Sequence, residues 1–193
     1  DGNTDNSVTA ANAAWRPKIQ TDAEGHRYIQ WDGSDDILQS ADGVFPDPLS
    51  ELWFAVAVDT SDTTVRNIVA GVSNGGYSSS NKFFSLDLDT SGKTRIAVND
   101  GTGTNSLEVP TVAGSPAILQ GYWNGTDLFL RIDGTQVATK AYAKSPITMD
   151  QELDVGALDN NGSIILNSPI RLYGLIIRDK VPSAEEIALV DEE

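Results

Sequence analysis

Glu152 and Asp154 are the two carboxylates whose spacing comes nearest to hydrolytic chemistry. If Glu152 to Gly156 is a strand, alternation at period two sets both on one face. A retaining glycosidase needs two carboxyl groups about 5 Å apart, one as nucleophile and one as acid and base. The next position on that face is Gly156, which has no side chain, and Ala157 follows it. The single histidine, His26, would have to fill every general-base role in a Ser-His-Asp or lyase-type site, and it reads better as a surface residue. Cysteine is absent, which removes thiol catalysis, disulfides and cysteine-based metal sites together. The expectation is therefore a protein that is not an enzyme.

Binding chemistry is better represented. A sugar site calls for an aromatic plane to stack on, with small polar groups and open backbone around it. The loop Asn74 to Asn81 offers Tyr77 among serines, asparagines and a Gly pair, so Asn74, Tyr77 and Asn81 are the predicted ligand contacts. Trp15 joins them because it stands outside the periodic segments. Asp87-Leu88-Asp89-Thr90-Ser91-Gly92 copies the first half of an EF-hand loop, but the twelfth position is Val98 where a bidentate Glu is needed, so a strand ending in a turn is expected.

The elements that would hold these residues are strands. Pro116 to Val137 reads as three consecutive antiparallel strands, with Asn124-Gly125 and Asp133-Gly134 as the two turns. Both pairs suit a type I′ turn, which needs positive φ at its two central residues. Leu119, Gly121 and Trp123 share one face, and Leu128, Leu130 and Ile132 share another. Leu52, Phe54, Val56 and Val58 do the same in Glu51 to Asp59. Pro169 to Asp179 is apolar on both sides and is predicted to lie deep in the fold. Asp154 to Leu158 and Ser163 to Leu166 are expected to pair as a hairpin. Ser183 and Glu186 form a capping box opening a short helix in which Ile187, Leu189 and Val190 pack inward. Some twelve short strands and one helix predict an all-β, two-sheet antiparallel jelly-roll sandwich, a single domain over 1–193 whose first fourteen residues are extended or mobile.

Charge limits the partners. Thirteen Lys plus Arg stand against 28 Asp plus Glu, a formal net charge of −15, so nucleic acid and anionic membrane surfaces are not expected. No apolar run approaches the roughly 20 residues that span a bilayer. The chain opens on Asp1, as a processed or excised chain would.

The segment from Trp15 to Leu38 resembles the opening of the laminin-G-like, concanavalin A-like domains of bacteriophage and prophage virion proteins, with Trp31, Asp32, Gly33, Asp35, Asp36 and Leu38 matching their aromatic-Asp-Gly turn. Arg171 to Asp179 running into Ser183 to Ile187 is similar to the close of the same domains. The resemblance implies a non-catalytic carbohydrate-recognition or host-attachment domain of a tail fibre, spike or surface protein, located on a virion or outside the cell, with a cell-surface glycan as partner. It also implies a structural calcium at the rim, for which Asp32, Asp35, Asp36 and Asp159 supply oxygen ligands; acidic turns without an ion explain the same residues. Laminarinase-type glycosidases of this fold carry Glu-x-Asp-x-Glu, and here Gly156 or Ala157 stands in place of the last Glu. Two alternatives remain open: an assembly or decoration module contacting other virion subunits without binding sugar, and a glycan-cleaving enzyme with a different site.

Overall fold

The central meander forms where its alternation places it, with one turn changed. A computed structural model describes residues 9–10, 12–41, 45–46, 48–60, 67–74, 82–88, 93–110, 116–144, 146–148, 153–160, 163–165 and 169–190. Its strands are β1 (Lys18–Thr21), β2 (Arg27–Gln30), β3 (Leu38–Gln39), β4 (Leu52–Thr60), β5 (Asn67–Asn74), β6 (Lys82–Leu88), β7 (Lys93–Asp100), β8 (Thr104–Pro110), β9 (Ala117–Trp123), β10 (Asp127–Ile132), β11 (Thr135–Ala141), β12 (Leu153–Val155), β13 (Leu158–Asn160), β14 (Ser163–Ile165) and β15 (Ile170–Arg178). A 3-10 turn at Ala13–Trp15 precedes them and the helix α1 (Ala184–Val190) follows. One sheet has the order β1-β2-β15-β4-β9-β10-β11, the other β3-β12-β5-β6-β7-β8, and β13 pairs with β14 apart from both. All the pairings are antiparallel, giving an all-β jelly-roll sandwich.

Asp133 and Gly134 have φ of 45° and 75° and close β10 onto β11 as a two-residue turn, the I′ geometry predicted. Asn124-Gly125 does not. Trp123 pairs with Leu128, so four residues lie between these paired positions, and only Gly125 among them has positive φ. The reason is local: Asn124 Oδ1 accepts from the amides of Thr126 and Asp127 and from the Thr126 hydroxyl, a side-chain arrangement that competes with the shorter turn.

Between the sheets lie Phe54, Val56 and Val58 of β4, Phe84 and Leu86 of β6, Ile96 and Val98 of β7, and Leu119, Trp123, Leu128 and Leu130 of the meander. Each fully buried large side chain of this kind contributes about 1.5–3 kcal/mol. Gly121 lets the sheets approach: a Cβ there would lie 3.1 Å from Ile96 Cδ1 and 3.3 Å from Leu86 Cδ1. The other face of β4 and β9 carries Trp53, Ala55 and Tyr122, on which Val190 of α1 packs, while Ile187 is buried and its carbonyl accepts from Gln120 Nε2. The capping box forms as predicted, with the Ser183 amide donating to Glu186 Oε2 at 2.9 Å and the Glu186 amide to Ser183 Oγ at 3.3 Å. Leu189 does not pack inward; it is 62% exposed, because the buried stripe at i and i+3 runs through Ile187 and Val190.

Two further expectations change. β15 is not buried on both sides: Arg171, Gly174, Ile176 and Arg178 face solvent, while Ile170 and Leu172 join the core. The predicted hairpin beginning at Asp154 is split at Gly156 and Ala157, so that β12 joins the six-stranded sheet between β3 and β5 and only β13 pairs with β14. Of the first fourteen residues, Thr9 exchanges backbone hydrogen bonds with Gln39 and so covers the β3 edge; residues 1–8 and 11 lie outside the described residues.

At the far end of the sandwich Lys144 Nζ meets Asp100 Oδ2 at 2.8 Å. Burial pushes the Asp100 carboxyl up, but hydrogen bonds from Lys144 and Thr102 outweigh it and hold it down at about 2. A depressed carboxyl stabilises the fold above its ordinary value and loses that contribution as pH falls through about 2. Lys144→Met should therefore cost about 1 kcal/mol at pH 7, after allowance for the partly exposed lysine, with the difference from wild type closing between pH 4 and pH 2 in urea melts. A gap that persists at pH 2 would assign the loss to packing on Tyr142 instead.

Candidate functional site

The outer face of β1, β2 and β15 holds the most complete open constellation of aromatic and hydrogen-bonding groups among the described residues. Ile29 pairs with Leu172 and packs on the core, so Tyr28, one residue earlier, must stand on the opposite face, beside Gln20 of β1. On β15 the register slips between Leu172 and Gly174, and the extra residue is Tyr173. A bulge of this kind re-aims one side chain. The Tyr28 and Tyr173 rings end with centroids 5.4 Å apart, tilted by 42°. The Arg171 guanidinium lies 5.5 Å from the Tyr28 centroid and its Nη1 is 3.5 Å from Asp59 Oδ2. Both tyrosines are half-buried and Arg171 is exposed. Burial pushes the Tyr173 hydroxyl up, the Asp22 charge adds to that, and a hydrogen bond donated by Arg171 opposes it. Two tyrosine rings beside an exposed guanidinium and its carboxylate partner can hold the face and edge of a polar ring.

A second constellation is the turn from Trp31 to Ile37. Asp32, Asp35 and Asp36 bring carboxylate oxygens within 4.8 Å of one another. Gly33 takes φ of 78° there, against Pro169. Asp32 Oδ1 accepts the Ser34 amide at 2.8 Å, and Asp36 Oδ2 the Asp32 amide at 2.9 Å. Burial pushes the Asp36 carboxyl up; the Asp32 amide counters this, while the charges of Asp32 and Asp35 reinforce it. The donor set fits a hard cation, being three carboxylates with negative charge left over. It does not fit glycoside hydrolysis, because the close carboxylates belong to one turn and bond its own backbone instead of facing each other across a cleft. Asp159 follows on β13, three residues after Gly156, which itself packs on Trp31; its side chain lies outside the described residues.

Of the predicted ligand contacts, Trp15 and Asn74 are described, and they lie apart. The Trp15 carbonyl accepts the Ile37 amide at 3.1 Å, so Trp15 sits at the base of the acidic turn. Asn74 ends β5 opposite Lys82, and β12 relates the two positions: Val155 pairs with Leu38 and Ala70, Leu153 with Val72. Ile37 and Asn74 are thus separated by roughly 17 Å along the strand direction. Tyr77 and Asn81 lie outside the described residues, in the connection from β5 to β6.

The face that carries Asp154 is closed, where sequence alone suggests a solvated strand. Gln39, Asp154, Gly71, Ser85, Ala97 and Ser106 form one row across the second sheet. Asp154 is 1% exposed and accepts from Gln39 Nε2 at 3.0 Å. Asp87, the first residue of the EF-hand-like stretch, is fully buried and takes Arg95 in a two-pronged ion pair at 2.8 and 2.9 Å. Both carboxylates are engaged in buried hydrogen bonds or ion pairs within the sheet. His26 lies on the surface, 3.2 Å from Asp22 Oδ2.

Tyr28, Tyr173 and Arg171 were not singled out by sequence. Alternation in Arg27-Tyr28-Ile29-Gln30 does place Tyr28 opposite Ile29, but the bulge that turns Tyr173 toward it has no signal beyond Gly174 in an apolar run.

No protein-family description and no curated protein matches this sequence. Solved structures do match. The receptor-binding domain of botulinum neurotoxin mosaic serotype C/D superposes with a TM-score of 0.67 at 13% identity, over 92% of this chain and 44% of that one. The CBM40 module of the Ruminococcus gnavus IT-sialidase, bound to α2,3-sialyllactose, gives 0.63 at 14% identity, over 80% and 98%. Domains LG4-5 of the mouse laminin α1 chain give 0.62 at 15%, over 86% and 46%. The fold shared with them is the two-sheet antiparallel jelly-roll sandwich. This chain spans less than half the length of the toxin and laminin chains and nearly all of the carbohydrate-binding module, and identities of this size speak to fold alone. No helix among the described residues is long and apolar enough to cross a membrane.

Proposed function

We propose that this chain is a non-catalytic glycan-recognition domain that reads its ligand on the Tyr28–Tyr173 platform. The observation that carries the reading is the tyrosine pair 5.4 Å apart on an outer sheet face, with Arg171 and Asp59 beside it. An aromatic face supplies the stacking plane a sugar ring needs, and the charged pair supplies directional hydrogen bonds. The likeness to the CBM40 module bound to α2,3-sialyllactose makes a sialylated oligosaccharide the first ligand to test. Asn74, Tyr77, Asn81 and Trp15 are secondary contacts in this reading, at other points of the rim. In the finer version the domain attaches a phage-like virion, or another extracellular surface protein, to a host glycan. A glycan array probed with wild type and with a Tyr28→Ala, Tyr173→Ala double variant tests it. Loss of array signal in the double variant supports the platform; equal signal rejects it.

Calcium belongs to the same reading, held at the rim by Asp32, Asp35 and Asp36, with Asp159 as a further ligand. A carboxyl raised by burial favours the fold while protonated and loses that advantage as pH climbs through its folded value. Without calcium the fold should therefore weaken as pH rises above the ordinary carboxylate range, and Asp36→Asn, which keeps an acceptor for the Asp32 amide, should melt at or above wild type at pH 7. With millimolar calcium the order should reverse, wild type gaining about 5 °C and Asp36→Asn gaining nothing. Identical melts with and without calcium would leave these residues as an acidic turn.

A further inference from the structure

Gln30 follows Tyr28 by two residues on β2, so alternation puts the two side chains on the same side of the sheet. Gln30 stands between Lys18 of β1 and Arg171 of β15, and Arg171 in turn pairs with Asp59 of β4. The Trp31 amide donates to the Ile170 carbonyl at 3.0 Å, one step beyond the Gln30–Arg171 pair. That bond marks Gln30 and Arg171 as a non-hydrogen-bonded pair, the kind whose Cα atoms come within about 4.5 Å and whose side chains lie closest.

The Gln30 carboxamide is held in one orientation. Its Nε2 donates to the Trp31 carbonyl at 2.7 Å and to the Ile170 carbonyl at 3.2 Å. Of the two branches of the amide only the NH2 group can donate, so the two backbone carbonyls fix which branch is nitrogen. The other branch, Oε1, accepts from no described residue and is open to solvent. Lys18 and Arg171, on either side of it, carry donors and no acceptor.

We propose that Gln30 is the specificity-determining residue of the tyrosine platform: its fixed Oε1 accepts a hydrogen bond from the ligand, while the Arg171 guanidinium opposite donates to the same ligand group. The inference rests on the platform reading and adds the chemistry that the platform selects. A sugar hydroxyl meets both demands, because one oxygen donates and accepts. An acylamino substituent meets them through its N–H and its C=O. A carboxylate, sulfate or ether oxygen satisfies Arg171 alone and sets an acceptor against Gln30 Oε1. A site built around a hydrogen bond rejects the analogue that cannot make it, since its own group is then left unpaired. Tyrosine rings stack on many sugars alike, so discrimination falls to this acceptor. A sialylated ligand would present a hydroxyl or its acylamino group at Gln30 and turn its carboxylate elsewhere.

The probe is α2,3-sialyllactose, with derivatives in which a single hydroxyl is O-methylated or the acetamido nitrogen is N-methylated, each lacking one donor. They are titrated into wild type, Gln30→Met and Gln30→Lys. Methionine removes the acceptor at nearly the same length; lysine removes it too but keeps donors for the Trp31 and Ile170 carbonyls, so one variant holds the fold if the other loosens it. In wild type one methylation should cost about tenfold in affinity, and that penalty should shrink below about threefold in both variants. An O-methyl position so identified assigns the ligand donor to a hydroxyl, and the N-methyl position assigns it to the acylamino group. Penalties of equal size in all three proteins overturn the inference, as does a wild type indifferent to every methylation. In either case, binding still lost in the Tyr28→Ala, Tyr173→Ala double variant leaves the platform itself standing. No saturable binding of any probe by wild type, or binding that persists in the double variant, overturns both.

Discussion

Gly156→Ala is expected to lower the melting temperature by about 4–20 °C. Gly156 has φ of +84°, and a Cβ built there would lie 1.9 Å from Trp31 Nε1 and 2.3 Å from Cε2. Trp31 is wholly buried and belongs to the main core cluster, so it has no free volume into which to move. A left-handed backbone costs a non-glycine residue about 1–2 kcal/mol, and forcing extra volume into a packed core about 1–3 more. Together they amount to about 2–5 kcal/mol, and each kcal/mol shifts the midpoint of a chain this size by about 2–4 °C. Differential scanning calorimetry measures it directly, and a variant that melts within 2 °C of wild type would show that the Gly156–Trp31 contact is not as tight as described. The same contact explains a gap in the sequence. Gly156 occupies the place where the Glu-x-Asp-x-Glu strand of a laminarinase-type enzyme would carry its last carboxylate, and the Trp31 indole excludes any side chain from it. Gly156→Glu should therefore yield an unstable protein and no hydrolase.

Removing both tyrosines is expected to abolish glycan binding while leaving the fold intact. Truncating a central aromatic contact typically costs about 2 kcal/mol, or roughly thirtyfold in affinity. Tyr28→Ala and Tyr173→Ala should each show a loss of that order. The rings are 5.4 Å apart and serve the same ligand face, so the losses need not add; the double variant should fall below about one hundredth of wild-type affinity. Neither ring belongs to either core cluster, so the melting temperature should fall by no more than about 5 °C. Arg171→Lys should sit between, since a lysine keeps the charge but loses the planar fork over Tyr28. Binding retained by a folded double variant would move the site to the rim, where Trp15 and the connection after Asn74 are the next positions to change.

The fold was largely legible because the core is written at period two. Leu119, Gly121 and Trp123 point inward as alternation requires, and the capping box at Ser183 forms with both of its hydrogen bonds. Misreadings arose where a side chain or a tertiary contact overrides local pattern. Asn124 bonds its own turn and lengthens it. Leu189 looks like a packing residue until the angle of α1 on Trp53 and Tyr122 is known. β15 reads as buried on both faces because apolar residues on the outer face of a sheet look the same in sequence as apolar residues in a core. The candidate site was less legible. It depends on a single-residue slip at Tyr173, and a bulge is set by the pairing of two strands more than a hundred residues apart in the chain. The acidic turn, by contrast, is local, and its residues could be named from the order Trp31-Asp32-Gly33-Ser34-Asp35-Asp36 alone.

Titration of sialylated oligosaccharides into wild type and into the tyrosine double variant, with the mass of the recovered sugar determined afterwards, tests the account most directly. It predicts saturable binding by wild type, no binding by a double variant that still melts cooperatively, and sugar recovered at its original mass. Sugar recovered in shortened form, or no binding by folded wild type to any member of a broad glycan panel, would contradict it.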